Sequence, residues 1–132
     1  MVQIAYQLAI FLENTPGAFA RVCETLGKAG INIYAVSTGD TVDHNVVRLV
    51  VSEPDRALKI FEENGSLAIK REVLMLEIDH KPGYLATISK ALATANINIE
   101  YCYCATAPGA KKGLLIMKTS DSKKTLKVLN FL

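Results

Sequence analysis

The sequence predicts an α+β fold of two tandem ferredoxin-like units, each with the element order β-α-β-β-α-β and an antiparallel sheet. Three observations carry this prediction: an internal repeat with an offset of 66 residues, a switch from period-two to helical hydrophobic spacing in each half, and a length of 132 residues, which suits two small units. We expect the units to span residues 1–70 and 71–132.

The repeat is ungapped: residues 13–33 align on residues 79–99, and eight of the 21 pairs are identical. The identical pairs include the Pro-Gly dipeptides at 16–17 and 82–83. A unit of this size buries only about 60% of its unfolded surface, so each is expected to need the other, or a second chain, to complete its core. The first half has 5 basic and 8 acidic side chains and the second has 10 and 5, so the net charges have opposite signs and favour packing of the halves.

The first strand of each unit is predicted from alternating apolar residues, over 4–12 and again over 72–78. A helix follows, because apolar residues then recur at i, i+3, i+7 and i+10. These residues are Phe19, Val22, Leu26 and Ala29 in the first half and Leu85, Ile88, Leu92 and Ala95 in the second. Pro16 and Pro82 suit the first helical position, and Gly30 and Asn96 suit a left-handed C-terminal cap.

The remaining elements complete the order in the first half and leave it incomplete in the second. The first half continues with strand 31–38, a polar loop through 39–45, strand 46–52, helix 54–64 and a short strand 67–70. The second half has strand 72–78, helix 82–95, strands 97–105 and 112–118, and helix 121–131. Because the second unit lacks its last strand, we expect one edge of its sheet to be open or filled by another chain.

These motifs resemble the ACT domain, a small regulatory module of enzymes of amino-acid metabolism. The segment Glu13-Asn-Thr-Pro-Gly17 with Gly30-Ile-Asn-Ile33 resembles the family pattern closely, and Asp79-His-Lys-Pro-Gly83 with Ile97-Asn-Ile99 resembles it less closely. The resemblance covers nearly the whole chain as two tandem ACT units without a catalytic domain. It implies a non-catalytic regulatory protein that binds an amino-acid effector where the first loop of one unit meets a neighbouring unit.

The residues of these loops suit an amino-acid head group. The first turn of a helix offers unpaired amide hydrogens to a carboxylate, and glycine lets a ligand approach the backbone. An Asn amide adds a contact to the head group, and an acidic side chain suits the ammonium. The predicted ligand-binding residues are Glu13, Asn14, Thr15, Gly17, Ala18, Asn32, His80, Gly83, Tyr84 and Asn98.

Asn32 and Asn98 resemble the second contact point of the family, but each follows a helix about 21 Å long that separates it from its own loop. Packing of the halves about a pseudo-twofold axis would instead place loop 13–18 opposite Asn98 and loop 79–84 opposite Asn32. We favour the first site as the occupied one. In the second, Lys81 replaces Thr15, and Tyr84 replaces Ala18 and either stacks on a ligand or fills the cavity.

Structural interpretations of the same residues stay open. Asn14 and Thr15 are equally suited to capping the helix, and Asn32 and Asn98 to turning the chain into a strand. His80 is expected to be an exposed loop residue, and Cys102 and Cys104 ordinary strand residues. The sequence lacks the spacing of a catalytic triad, a phosphate loop or a metal centre, so we expect no enzyme activity, cofactor or metal.

Two other classes of function compete with effector binding. One is an interaction module that acts in trans on an enzyme of amino-acid metabolism without a ligand. The other is an RNA-binding ferredoxin-like domain, which the basic second half favours; strand 112–118 lacks the aromatic residues such a domain stacks on bases, and Tyr101 and Tyr103 are the only candidates. We expect a cytoplasmic protein that does not bind membranes, because three cysteines do not form a disulfide framework and no apolar run is long enough to span a bilayer. We also expect a homodimer with a possible enzyme partner and without nucleic-acid binding.

Overall fold

A computed structural model describes residues 2–39 and 44–132. The elements in chain order are β1 (Val2–Glu13), α1 (Ala18–Lys28), β2 (Ile33–Thr38), β3 (His44–Val51), α2 (Pro54–Glu63), β4 (Ala68–Asp79), α3 (Tyr84–Thr94), β5 (Ile99–Ala105), β6 (Lys112–Thr119) and α4 (Ser122–Leu129). The chain divides into an N-terminal unit, Tyr6–Arg71, and a C-terminal unit, which combines the first five residues with Glu72–Leu132. No helix in the described ranges is long and apolar enough to cross a membrane.

In the N-terminal unit the sheet is antiparallel, with β3 between β1 and β2. Alternate residues of β1 face the helices, and Leu8 and Ile10 pair with Leu49 and Val47 of β3. The core combines one face of the sheet with α1 and α2. Its buried residues are Leu8, Ile10, Val22, Leu26, Ile31, Val47, Leu49, Val51, Ala57 and Phe61.

The C-terminal unit repeats this arrangement, with β6 between β4 and β5. Leu76 of β4 pairs with Leu115 of β6, and Cys102 of β5 pairs with Met117. The buried core residues are Leu74, Leu76, Ile78, Ile88, Leu92, Ile97, Leu115, Met117 and Leu129. The predicted α+β class, with antiparallel sheets and βαββαβ order, is therefore confirmed.

Two strands, β1 and β4, are each divided between the two units, and one part of each supplies a unit's last strand. The C-terminal unit has no strand after α4, and residues 2–5 of β1 take that place beside β4, where Val2 and Ile4 pack against the core. The edge is therefore filled by the same chain, rather than left open or filled by another chain. In the N-terminal unit the start of β4 is the last strand, and Phe11 N donates to Leu67 O at 3.1 Å. The two predicted strands 67–70 and 72–78 are one strand, because no turn residue interrupts it.

The C-terminal caps of α1 and α3 are as predicted. Gly30 and Asn96 are left-handed, with φ of 70° and 58°. The next residue in each case closes the cap, since Ile31 N donates to Leu26 O at 3.0 Å and Ile97 N donates to Leu92 O at 2.9 Å. Each following strand therefore starts two residues later than the sequence suggests, at 33 and 99.

The polar loop predicted over 39–45 lies partly outside the described residues. Asp40 and Asp43 belong to the undescribed part, whereas Asn45 lies in β3. The Asn45 Oδ1 accepts a hydrogen bond of 2.7 Å from Gly39 N. This bond ties the residue after β2 to the beginning of β3.

Candidate ligand-binding sites

A type II turn leads into α1. Ala18 N donates to Thr15 O at 3.2 Å, and Gly17 has φ 85° and ψ −11°, the conformation of the third residue of such a turn. Pro16 is the second residue of the turn, so the prediction that it opens the helix is wrong. Proline favours both positions, but the glycine after it selects the turn.

The same turn leads into α3, and this prediction is wrong for Pro82 as well. Tyr84 N donates to Lys81 O at 3.3 Å, and Gly83 has φ 86° and ψ −3°. A third Pro-Gly turn joins β5 to β6, where Ala110 N donates to Ala107 O at 3.0 Å. The repeated Pro-Gly dipeptides therefore fix the shape of both loops that the sequence singled out.

The predicted residues of the first loop are exposed, except for Ala18, which is buried. These exposed residues are Glu13, Asn14, Thr15 and Gly17. Gly17 occupies the N-cap position of α1, without a side-chain hydrogen bond to the helix. Gly17, rather than Asn14 or Thr15, is therefore the N-cap residue of α1.

The backbones of Asn32 and Asn98 form hydrogen bonds just before β2 and β5 begin. Ser52 N donates to Asn32 O at 2.9 Å, and Asn32 N donates to Ser52 Oγ at 3.0 Å. The same pair of bonds joins Asn98 to Ser120, also at 2.9 and 3.0 Å. This geometry supports the structural interpretation, while both Asn side chains stay exposed. The pairing of each Asn with the other unit's loop remains a prediction.

A cleft of about 510 Å³ lies inside the N-terminal unit, between β1, α1 and the end of α2. Its lining includes two predicted residues, Glu13 and Ala18, but none of Asn14, Thr15, Gly17 and Asn32. The sequence did not single out the others: Phe11, Leu12, Arg21, Val22, Thr25, Phe61, Asn64, Gly65, Ser66 and Leu67. For these residues, the sequence offered one signal of a place beside the loop: Arg21 lies four residues after Gly17 and therefore one turn into α1.

A second cleft, of about 410 Å³, lies beside the loop of the C-terminal unit. It brings together three predicted residues, His80, Gly83 and Tyr84, and includes Cys104 of β5 but not Asn98. Tyr84 is half-buried and packs against the core, with Lys81 Nζ 5.6 Å from its ring centroid. Tyr84 therefore fills space in its own unit, one of the two roles expected for it.

The cysteines are free thiols rather than parts of a bonded framework. Cys102 and Cys104 are exposed on one face of β5, and Cys23 is half-buried. Among the described residues no three His, Cys, Asp or Glu side chains gather as they would around a metal ion.

An ion pair fixes the start of the second loop. Lys112 Nζ donates a hydrogen bond to Asp79 Oδ1, and this bond, together with the charge of Lys112, lowers the pKa of the Asp79 carboxyl. The same partner raises the pKa of Lys112. Asp79 is thereby engaged by a lysine of its own unit and also lines the second cleft, whereas Glu13, its counterpart, lines the first.

Replacing Lys112 with Met should raise the pKa of Asp79 towards its usual value. Because the folded pKa is lowered, the ion pair stabilises the fold above the unfolded pKa and is lost as the pH falls through the folded pKa. The carboxyl chemical shift of Asp79, followed by NMR against pH, measures the change. Lys111→Met, which removes a neighbouring charge, is the control, and an equal shift in both variants would contradict a specific pair.

Fold and loops together define a class of protein: a pair of ferredoxin-like units in which a type II turn precedes the first helix of each unit. The family model for the ACT domain pair matches residues 3–131, and the chain belongs to this family. The resemblance stated from the sequence is thus confirmed.

Curated relatives include the acetolactate synthase small subunit of Mycobacterium bovis and the putative acetolactate synthase small subunit of Mycobacterium tuberculosis. Each is 24% identical, with 71% of this chain covered, and the chain spans only 66% of the relative's length. A crystal structure from Bacteroides thetaiotaomicron is 30% identical, with a TM-score of 0.90 over 98% of this chain and 88% of that one. The ligand-free regulatory subunit of aspartate kinase from Thermus thermophilus has the same fold, at 20% identity and a TM-score of 0.74, with 98% of this chain and 95% of that one covered.

Proposed function

We propose that this ACT domain pair is a non-catalytic regulatory protein that binds an amino-acid effector where a Pro-Gly loop meets a neighbouring unit. The observation that carries the proposal is the recurrence of one turn geometry before α1 and before α3. Each turn starts a helix at a left-handed glycine, so no β-carbon shields the backbone from a ligand. Glu13 and Asn14 are exposed beside the first turn.

Effector binding would act through the relative stability of two arrangements of the units or of two chains. A ligand that prefers one arrangement shifts the population towards it, and a partner enzyme then senses the change. The small subunits of acetolactate synthase and the regulatory subunit of aspartate kinase among the similar proteins support an enzyme partner in amino-acid metabolism. We also expect a cytoplasmic homodimer.

An interaction module that acts on an enzyme without a ligand is the alternative. An RNA-binding surface is disfavoured, because Leu115, Ile116 and Met117 of the central strand β6 are buried and none is aromatic. Tyr101 and Tyr103 are half-buried on β5. Binding of a free amino acid distinguishes the effector sensor from both alternatives.

A thermal-shift screen of the full chain against the twenty amino acids tests the proposal. One amino acid, at about a hundred times its Kd, should stabilise the fold by about 2.7 kcal/mol, which raises Tm by several degrees. The shift should be lost in Asn14→Ala, because this variant removes an amide from the first loop.

His80→Ala is the matched control, since His80 occupies the position of Asn14 in the second loop. It should keep the shift if the first site is the occupied one. No shift with any amino acid would refute the effector proposal and favour the interaction module. Circular dichroism of both variants checks that the fold is intact.

A further inference from the structure

Two thiols lie side by side on the edge strand of the C-terminal unit. Cys102 and Cys104 are two residues apart in β5, so their side chains project from the same face of the sheet. They pair across the ladder with Met117 and Leu115, which belong to the core on the helix side of the sheet. Both thiols are nevertheless exposed, and β5 is an edge strand. Reagents in solution can therefore reach both sulfur atoms.

Cys104 also lines the cleft of about 410 Å³ beside the second loop, together with His80 and Lys81. Lys81 is exposed and takes part in no ion pair among the residues that the structure describes. The carboxylate of Asp79 lines the cleft too, but Lys112 engages it. Positive charge is therefore in excess around Cys104. Partly exposed, electropositive surroundings of this kind are typical of reactive thiols, and they attract anionic reagents.

The repeat provides an internal comparison. The positions of the N-terminal unit that match Cys102, Cys104 and Lys81 are occupied by Val36, Thr38 and Thr15. Val36 and Thr38 pair with β3 as the two cysteines pair with β6, so the strand forms equally well without thiols. The two thiols and the neighbouring cation therefore occur together in one unit, at positions where the fold requires none of them.

The spacing of the two cysteines permits a disulfide between them. A strand rises about 3.2–3.4 Å per residue, which places the Cα atoms of residues i and i+2 about 6.4–6.8 Å apart. Bridged cysteines have Cα atoms about 4.4–6.8 Å apart, so the bond requires β5 to shorten slightly. This strand can adapt, because among the described strands it pairs only with β6 and its register already shifts between Ile99 and Tyr101. An exposed bridge at the limit of the favoured distance is easily reduced again.

We infer that Cys104 and Cys102 form a dithiol site for exchange with an anionic disulfide of low molecular weight. The Cys104 thiolate attacks one sulfur of the reagent, whose S–S bond breaks, so that a mixed disulfide forms and one thiolate leaves. The Cys102 thiolate then attacks the sulfur of Cys104 and releases the second thiolate. The protons of the two cysteines pass to the leaving thiolates. The reagent is thereby reduced to two thiols, and the protein is oxidised to a Cys102–Cys104 disulfide.

Reaction of the full chain with oxidised glutathione, an anionic disulfide, tests this inference. Mass spectrometry after alkylation of the remaining thiols should show that the wild type loses two hydrogen atoms and that Cys102 and Cys104 resist alkylation. Cys102→Ser should stop at the mixed disulfide and gain one glutathionyl group on Cys104. Cys104→Ser should leave Cys102 largely unmodified. Cys23→Ser is the matched control, because it removes the half-buried thiol of α1 and should react as the wild type does.

The role of the cation has a separate readout. Lys81→Thr, which introduces the residue of the other unit, should slow the reaction with oxidised glutathione by up to about fivefold, the value of an exposed charge pair. The reaction with the uncharged 2-hydroxyethyl disulfide should keep its rate. Lys90→Thr removes an exposed cation from α3, outside the residues that line the cleft, and should leave both rates unchanged.

Several results would overturn the inference. One is a mixed disulfide that accumulates in the wild type as much as in Cys102→Ser, because Cys102 would then not resolve it. Another is trapping of glutathione by Cys104→Ser at the rate of Cys102→Ser, which would mean that the cleft does not select Cys104. Equal slowing of both reagents by Lys81→Thr would contradict an anionic reagent. Retention of all three thiols at millimolar oxidised glutathione would exclude the site altogether.

Discussion

Replacing Phe61 with Ala is expected to lower the free energy of unfolding by about 3–5 kcal/mol. Phe61 is 2% exposed and packs in the N-terminal core, from the last turn of α2. Its removal takes a large apolar side chain out of the core and leaves a cavity that a small unit cannot fill by relaxation. Urea denaturation followed by circular dichroism measures the loss as a lower midpoint.

Phe131→Ala is the matched control, because it makes the same chemical change at a side chain that is 90% exposed. A substitution away from packed features changes stability by no more than about 0.5 kcal/mol. If the two variants unfold at the same urea concentration, the assignment of Phe61 to the core is wrong. If Phe61→Ala changes the slope as well, the units unfold separately rather than in one transition.

Periodic segments of the sequence were sufficient to predict the fold. In β1, alternate apolar residues such as Leu8 and Ile10 are fully buried, because a strand with one covered face needs that period. The caps at Gly30 and Asn96 were predictable for a related reason, since few residues adopt positive φ at low cost. Both features depend on residues that are close in the sequence, so a single sequence is enough to predict them.

The origin of the last strand in each unit was not predictable from the repeat. Comparing the halves predicts a break between residues 70 and 72, but no turn residue lies there and β4 continues through it. Nothing local marks residues 2–5 as the strand that completes the C-terminal unit. Strand pairing between distant segments depends on tertiary packing, which hydrophobic period alone does not specify.

The candidate site was predictable only where it is local. Glu13 and Ala18 belong to the Pro-Gly loop and do line the N-terminal cleft. Phe61 and Asn64 line it too, but they lie more than forty residues further along the chain and reach it only because α2 packs on the sheet. Arg21 lies close in sequence, yet it lines a cleft that those distant residues complete.

Replacing Gly17 with Ala should destabilise the protein by about 1–2 kcal/mol, even though it adds only one methyl group. At φ 85° an L-residue is strained, whereas the new β-carbon would lie 3.5 Å from Arg21 Nη1, which is ordinary van der Waals contact. Gly27→Ala makes the same change in the exposed part of α1, where φ is not positive and nothing lies within 4 Å of the new carbon. That variant should be more stable by about 0.5–1 kcal/mol, because alanine loses less backbone entropy in a helix.

The sign of the difference between these two variants tests the turn itself. Thermal unfolding should place Gly17→Ala below the wild type and Gly27→Ala above it, although both exchange glycine for alanine within ten residues of each other. Equal effects would mean that Gly17 does not hold a left-handed conformation in solution. In that case the Pro-Gly dipeptide would open the helix directly, and Arg21 would no longer lie over the turn at the entrance of the cleft.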